Sequence, residues 1–213
     1  MSNKFLSTTS AFLLSTSMLV ADVPKVTVDI APVHSLVSKI MNGVGKPDLI
    51  IPAGASPHEY QLKPSNAKSL EDADIVFWIG EDLTPWLEKG LSSLAQDSSI
   101  TALLGVDGIE LLSFREGALF EAHDHDDHDD HDDHGKKKHD DHDDHAHGDH
   151  DPHAWLSPQI AKVWLNVIAA KLSEADPDNA GKYFSNAKLA RDNMDSLVSE
   201  VNSILDPIRD KKF

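Results

Sequence analysis

The sequence predicts an α/β fold: a parallel β-sheet flanked by helices, then one long helix, with a His/Asp-rich insertion ahead of the last two helices. Three observations predict it. Short, nearly continuous apolar runs alternate with helical spacings between Val26 and Leu112, and such runs belong to parallel strands buried on both faces. A low-complexity tract fills 123–150, with Ala146 as its one apolar residue. Apolar residues then recur at steps of three and four over 179–205, the pattern of an amphipathic helix.

Each element follows from local chemistry. Val26, Val28 and Ile30 form the first strand, ended by Pro32. Leu36, Val37, Ile40 and Met41 recur at helical spacing and stop at Gly43. Leu49-Ile50-Ile51 reads as a buried strand closed by Pro52 and Gly54. Ser65, after Pro64, is expected to cap a helix to about Glu71. Ile75-Val76-Phe77-Trp78-Ile79 is the clearest strand and ends at Gly80. Thr84-Pro85 opens a helix with Trp86, Leu87, Leu91 and Leu94 on one side. Strand-like pieces are expected at Ile100–Leu104 and Ile109–Leu112. After the insertion, Ser157-Pro158 starts a helix with a stripe of Ile160, Val163, Trp164, Val167, Ile168 and Leu172, broken at Asp176-Pro177. The final helix carries Tyr183, Ala187, Ala190, Met194, Leu197, Val201 and Leu205 on one face.

Composition narrows the function classes. The net charge of −17 repels nucleic acid and anionic membranes and suits a cation. Residues 123–150 hold twelve Asp against three Lys, a net of nine of those negative charges. The chain has no cysteine, so disulfides, thiol catalysis and Cys-based metal sites are excluded and any metal falls to His and carboxylates. At the N-terminus, Lys4, the apolar stretch Phe12 to Val20, and Ala21 read as a secretory signal peptide over 1–21, so an exported, monomeric protein is expected.

Ten of the thirteen His lie in the insertion: His123, His125, His128, His131, His134, His139, His142, His145, His147 and His150. His-Asp-Asp repeats place imidazoles close enough to share an ion, and carboxylates add charge attraction. With so little to bury, 115–150 is expected to be a disordered loop with weak, exchangeable metal sites that empty as acid protonates the imidazoles. Three His stand outside it. His58 follows a buried strand, and His153 sits between Pro152 and Pro158 ahead of a helix, with Asp151 placed to orient it. His34 follows the first strand and is not expected to be a ligand. The loops after Ile30, Ile51 and Ile79 mark the sheet edge where ligands bind in such folds. No His-Glu-x-x-His or Gly-x-Ser-x-Gly motif occurs, and Glu59 is the one candidate general base, so no enzyme is expected.

Residues 52–64 (PAGASPHEYQLKP), 73–83 (ADIVFWIGEDL), the His-rich insertion and 151–158 (DPHAWLSP), in this order, resemble the ZnuA-type periplasmic zinc-binding proteins. These are the solute receptors of zinc-uptake ABC transporters. The resemblance implies two α/β lobes joined by a long helix, with Zn2+ held in the cleft between them and delivered to a membrane ABC permease. It implies that His58 and His153 are cleft ligands and that a third His belongs to the second lobe. On this reading 22–175 is an N-terminal metal-binding lobe, 176–213 is the inter-lobe helix, and the second lobe is absent from the sequence, as a fragment or as a natural truncation. Two other readings accompany it: a receptor for manganese or another divalent metal, and a zinc buffer or store acting through the His-rich segment.

Overall fold

The computed structural model describes residues 23–114 and 150–211. The predicted signal peptide and the His/Asp repeat from His123 to His147 lie outside the described residues. Four parallel strands form one sheet: β1 (Val26–Val28), β2 (Asp48–Leu49), β3 (Ile75–Trp78) and β4 (Ser99–Ala102), in the order β2-β1-β3-β4. Val28 pairs with Leu49 on one side and with Phe77 on the other. The two central strands are fully buried: β3 is apolar throughout, and β1 is apolar but for Thr27, while β4 is an exposed edge.

The described residues form five α-helices, three between the strands and two after them: α1 (Ala31–Ile40), α2 (Pro64–Glu71), α3 (Pro85–Leu94), α4 (Pro158–Ala175) and α5 (Ala180–Leu205). α1, α4 and α5 pack together, and α2 packs on α3. Thr27, facing opposite to its neighbours Val26 and Val28, donates from Oγ1 to Ser69 O and ties α2 to the sheet. The largest fully buried side chains are Trp164, Tyr183 and Phe77. The Trp164 indole N–H, which burial would otherwise strand, donates to Leu103 O at 2.9 Å.

Several expectations are corrected. Ser65 is not a cap: α2 starts at Pro64 with Lys63 as its N-cap, because Asn66 takes over and accepts from the Lys63 amide at 3.2 Å. Thr84-Pro85 opens α3 as expected, and the buried Thr84 hydroxyl donates to Gly80 O. Ile50 and Ile51 lie beyond β2, yet their amides bond to Val28 O and Asp29 O and continue the pairing. No strand forms over Ile109–Leu112: Leu112 is 72% exposed, and only an isolated antiparallel bridge, Ser113 to His150, follows it. Ser157 caps α4 as expected, accepting from the Ile160 amide at 3.4 Å. On α4, Leu165 and Ala169 are buried where Val163 and Val167 are only half-buried. On α5, Tyr183, Ala187 and Ala190 are buried, whereas Leu197, Val201 and Leu205 are exposed.

Candidate metal centre

His58 and His153 reach the carboxyl edge of the sheet on two loops remote in sequence. The order β2-β1-β3-β4 reverses the chain's direction of travel at β1, and clefts at such a reversal receive ligands. Directly below, the buried Asp29 bridges the ends of β1 and β3, accepting from the Ile30 and Ile79 amides, each at 2.7 Å.

The first loop leaves Ile51 through a turn in which the Ala55 amide donates to Pro52 O at 3.1 Å. Gly54 adopts φ +87° there with open space around it, so glycine serves the backbone conformation and not a close approach. Downstream the loop is stitched to the lobe. The Trp86 indole N–H donates to Pro57 O at 2.7 Å, the Tyr60 hydroxyl donates to Asn66 Oδ1 at 3.3 Å, and Asn66 Nδ2 donates to Ile50 O at 3.1 Å. His58 itself projects into solvent.

The second loop begins where Asp151 N donates to Leu112 O at 2.8 Å. Asp151 Oδ1 accepts twice from His153, from its amide at 2.9 Å and from ring Nδ1 at 2.6 Å. The His153 amide and ring thereby hold the Asp151 carboxyl below the usual carboxylate range. A carboxylate can only accept, so Nδ1 carries the proton, and in the neutral ring the Nε2 lone pair is the one left for an ion. Trp155 packs edge-on to the His153 ring at 5.1 Å and lines a small recess with Pro57 and Ala55 of the first loop.

The two imidazole rings stand 5.7 Å apart, centre to centre, at 60°. With Zn–N bonds of about 2 Å, two rings on one ion are separated by roughly 5–6 Å, so this spacing suits a shared cation. His153 also faces a cleft of about 320 Å³ lined by Glu110, Leu112, Asp151 and Leu156. Among the described residues, no group of three or more His, Asp or Glu stands close enough to hold a metal.

The other sequence candidates fall elsewhere. His34 donates from Nε2 to Pro47 O at 3.2 Å, and Ser38 Oγ lies 3.4 Å from its Nδ1, in a groove between α1 and α5. Glu59 is exposed beside His58. His150 is exposed in the bridge to Ser113, one residue before Asp151. The contributions of Trp86 and Trp155 escaped the sequence reading. Trp155 lies two positions from His153, but nothing local reveals that Trp86 reaches the Pro57 carbonyl.

The family described as zinc-uptake complex component A periplasmic, ZnuA, matches residues 26–213. The chain is 42% identical over 218 residues to the high-affinity zinc uptake system protein ZnuA of Brucella abortus (strain 2308), covering 96% of this chain and 65% of that protein. It is 44% identical over 197 residues to the protein of the same name from Paracoccus denitrificans (strain Pd 1222), covering 91% and 60%. The chain thus spans less than two thirds of the length of these relatives. Among solved structures, a zinc-bound ZnuA deletion mutant matches with a TM-score of 0.69 at 24% identity, covering 90% of this chain and 62% of that one. Zn(II)-bound AdcA from Streptococcus pneumoniae matches with a TM-score of 0.59 at 22% identity, covering 82% and 31%. A Mn-bound periplasmic metal-binding protein from candidatus Liberibacter asiaticus also has a TM-score of 0.59, at 21% identity, covering 86% and 55%. At these identities the structural matches speak to the fold.

Proposed function

We propose, from the premise that this chain belongs to the ZnuA family, that it is an extracytoplasmic receptor that captures Zn2+ with His58 and His153 and passes it to an ABC-type membrane permease. The observation that carries this reading is the approach of the two imidazoles to 5.7 Å from separate loops, with Asp151 fixing the tautomer of one. The names of the relatives, which are 42% and 44% identical, support zinc as the cargo. Residues 22–175 are the metal-binding lobe in this reading, and 176–213 are the linking helix.

The donor set supports zinc over harder ions. Imidazole nitrogen favours zinc, whereas manganese prefers more oxygen ligands. Two imidazoles leave a tetrahedral ion two positions short, and water or further ligands complete them. The role of the site is to hold and release, with no reaction catalysed. The His/Asp repeat adds loose capacity, with weak sites at His123 through His150 that feed the pair.

Zinc titration of the metal-free chain tests the reading. One site should stand out as tightest, and His58→Ala or His153→Ala should weaken it at least about tenfold, because each removes a ligand. Manganese should fail to displace zinc from it. If the tightest site survives both substitutions, binding resides in the repeat and the protein is a buffer. If manganese wins the competition, the cargo is manganese.

A further inference from the structure

The two imidazoles of the candidate centre are supported unequally. Asp151 holds the His153 ring directly, through Nδ1 at 2.6 Å. Among the described residues no side chain bonds the His58 ring, which is exposed. Metal-ligating His depends on an outer partner for its orientation, and loss of that partner commonly weakens binding. Something other than a ring contact must therefore restrict His58.

We propose that Trp86 is that element: a positioning residue that sets metal affinity by fixing the Pro57–His58 peptide. Its indole N–H donates to the Pro57 carbonyl at 2.7 Å. The peptide unit is planar, so holding the carbonyl oxygen of Pro57 also fixes the direction of the His58 N–H and the position of its Cα. The Pro57 ring locks its own φ, one bond before the ψ rotation that the hydrogen bond to its carbonyl restrains. His58 then keeps only its own backbone and side-chain rotations, and it searches a small cone facing His153.

Trp86 is suited to this role. It lies in the first turn of α3, whose Leu87 and Leu91 are buried in the core, so the donor is mounted on a rigid element. Its ring also packs against Tyr60 at 5.8 Å, two residues past His58. Tyr60 is bonded to Asn66, and Asn66 to Ile50 O, so the loop is held on both sides of the ligand.

The inference rests on the reading of His58 as a metal ligand, and a double-mutant cycle separates the two. Zinc affinity of the tightest site is measured for the full chain, Trp86→Phe, His58→Ala and the double variant. Phe keeps the packing and removes the N–H. With His58 present, Trp86→Phe should weaken zinc binding about tenfold, the lower end for loss of an outer partner. In the His58→Ala background the same change should cost less than about twofold, since the group it positions is gone. In a His153→Ala background the loss should persist. Equal losses with and without His58, or no loss at all, would overturn the role of Trp86. An intact site in His58→Ala alone would instead sink the ligand assignment beneath it. Should Trp86→Phe fold poorly by circular dichroism, β-(3-benzothienyl)alanine at position 86 keeps the bicyclic shape, lacks the donor, and must give the same cycle.

Discussion

Asp29 shows how much one carboxyl can organise. Burial pushes its pKa up to about 7, against the pull of the Ile79 and Ile30 amides that it accepts from. Between about pH 4 and pH 7 the folded chain holds a proton that the unfolded chain has released. The folded pKa lies above the unfolded one, so the stabilisation is full below about pH 4 and is lost as pH rises through 7. Asp29→Asn puts an amide NH2 against a backbone N–H and should cost about 1–3 kcal/mol at low pH. The gap in thermal stability from the wild type should narrow between pH 4 and pH 8; a gap that stays constant or widens would show that Asp29 does not titrate in this way. At this scale legibility in the sequence was uneven. The placing of His58 and His153 on loops was legible because each lies where a strand or helix end meets a loop, a relation written in neighbouring residues. Asp29 and Trp86 were not, because each acts on a peptide far along the chain: Ile79 for one, Pro57 for the other.

The elements themselves were mostly readable, and the misreadings share a cause. The mostly apolar run at Ile109–Leu112 fits a strand by composition, but strands need an edge to join, and among the described residues the chain there is held only by the Asp151 amide on Leu112 O and the Ser113–His150 bridge. Ser65 has the chemistry of a cap, yet Asn66 already serves the Lys63 amide, so the cap falls two residues earlier, at Lys63. Both outcomes depend on partners that a local window does not contain. One such partnership joins α5 to α1. Asn186 Nδ2 donates to Ile40 O at 2.8 Å and to Asn42 O at 2.9 Å, satisfying carbonyls at the end of α1 that have no acceptor role inside the helix. Asn186→Ala should therefore destabilise the fold by about 1–2 kcal/mol, seen as a lower denaturant midpoint with unchanged m-value. Asn186→Asp removes the donor while keeping the size and should cost at least as much; a neutral effect of both variants would rule out the cap.

For the molecule as a whole, the uneven cover of α5 stands out. Over 26 residues the helix spans about 39 Å at 1.5 Å per residue, and only its first half is covered. Among the described residues no helix is long and apolar enough to cross a membrane. The region outside the described residues enters and leaves this frame at adjacent points. Ser113 bridges His150, and the amide of Asp151, whose carboxylate steadies His153, bonds Leu112 O. Removing 115–149 and joining Phe114 to His150 through a short Gly-containing turn should therefore leave the melting temperature within a few degrees, since Ser113 and His150 already lie side by side. Under the proposed function, zinc stoichiometry should fall while the tightest site remains; loss of that site would place it in the repeat. The shared doorway has a consequence for how such a gene can change. Where both ends of a segment are already clasped, doubling its length adds only about 0.6 kcal/mol to the cost of closing it. Slippage during replication can then add or delete His-Asp-Asp units one at a time at little cost to the stability of the rest of the fold.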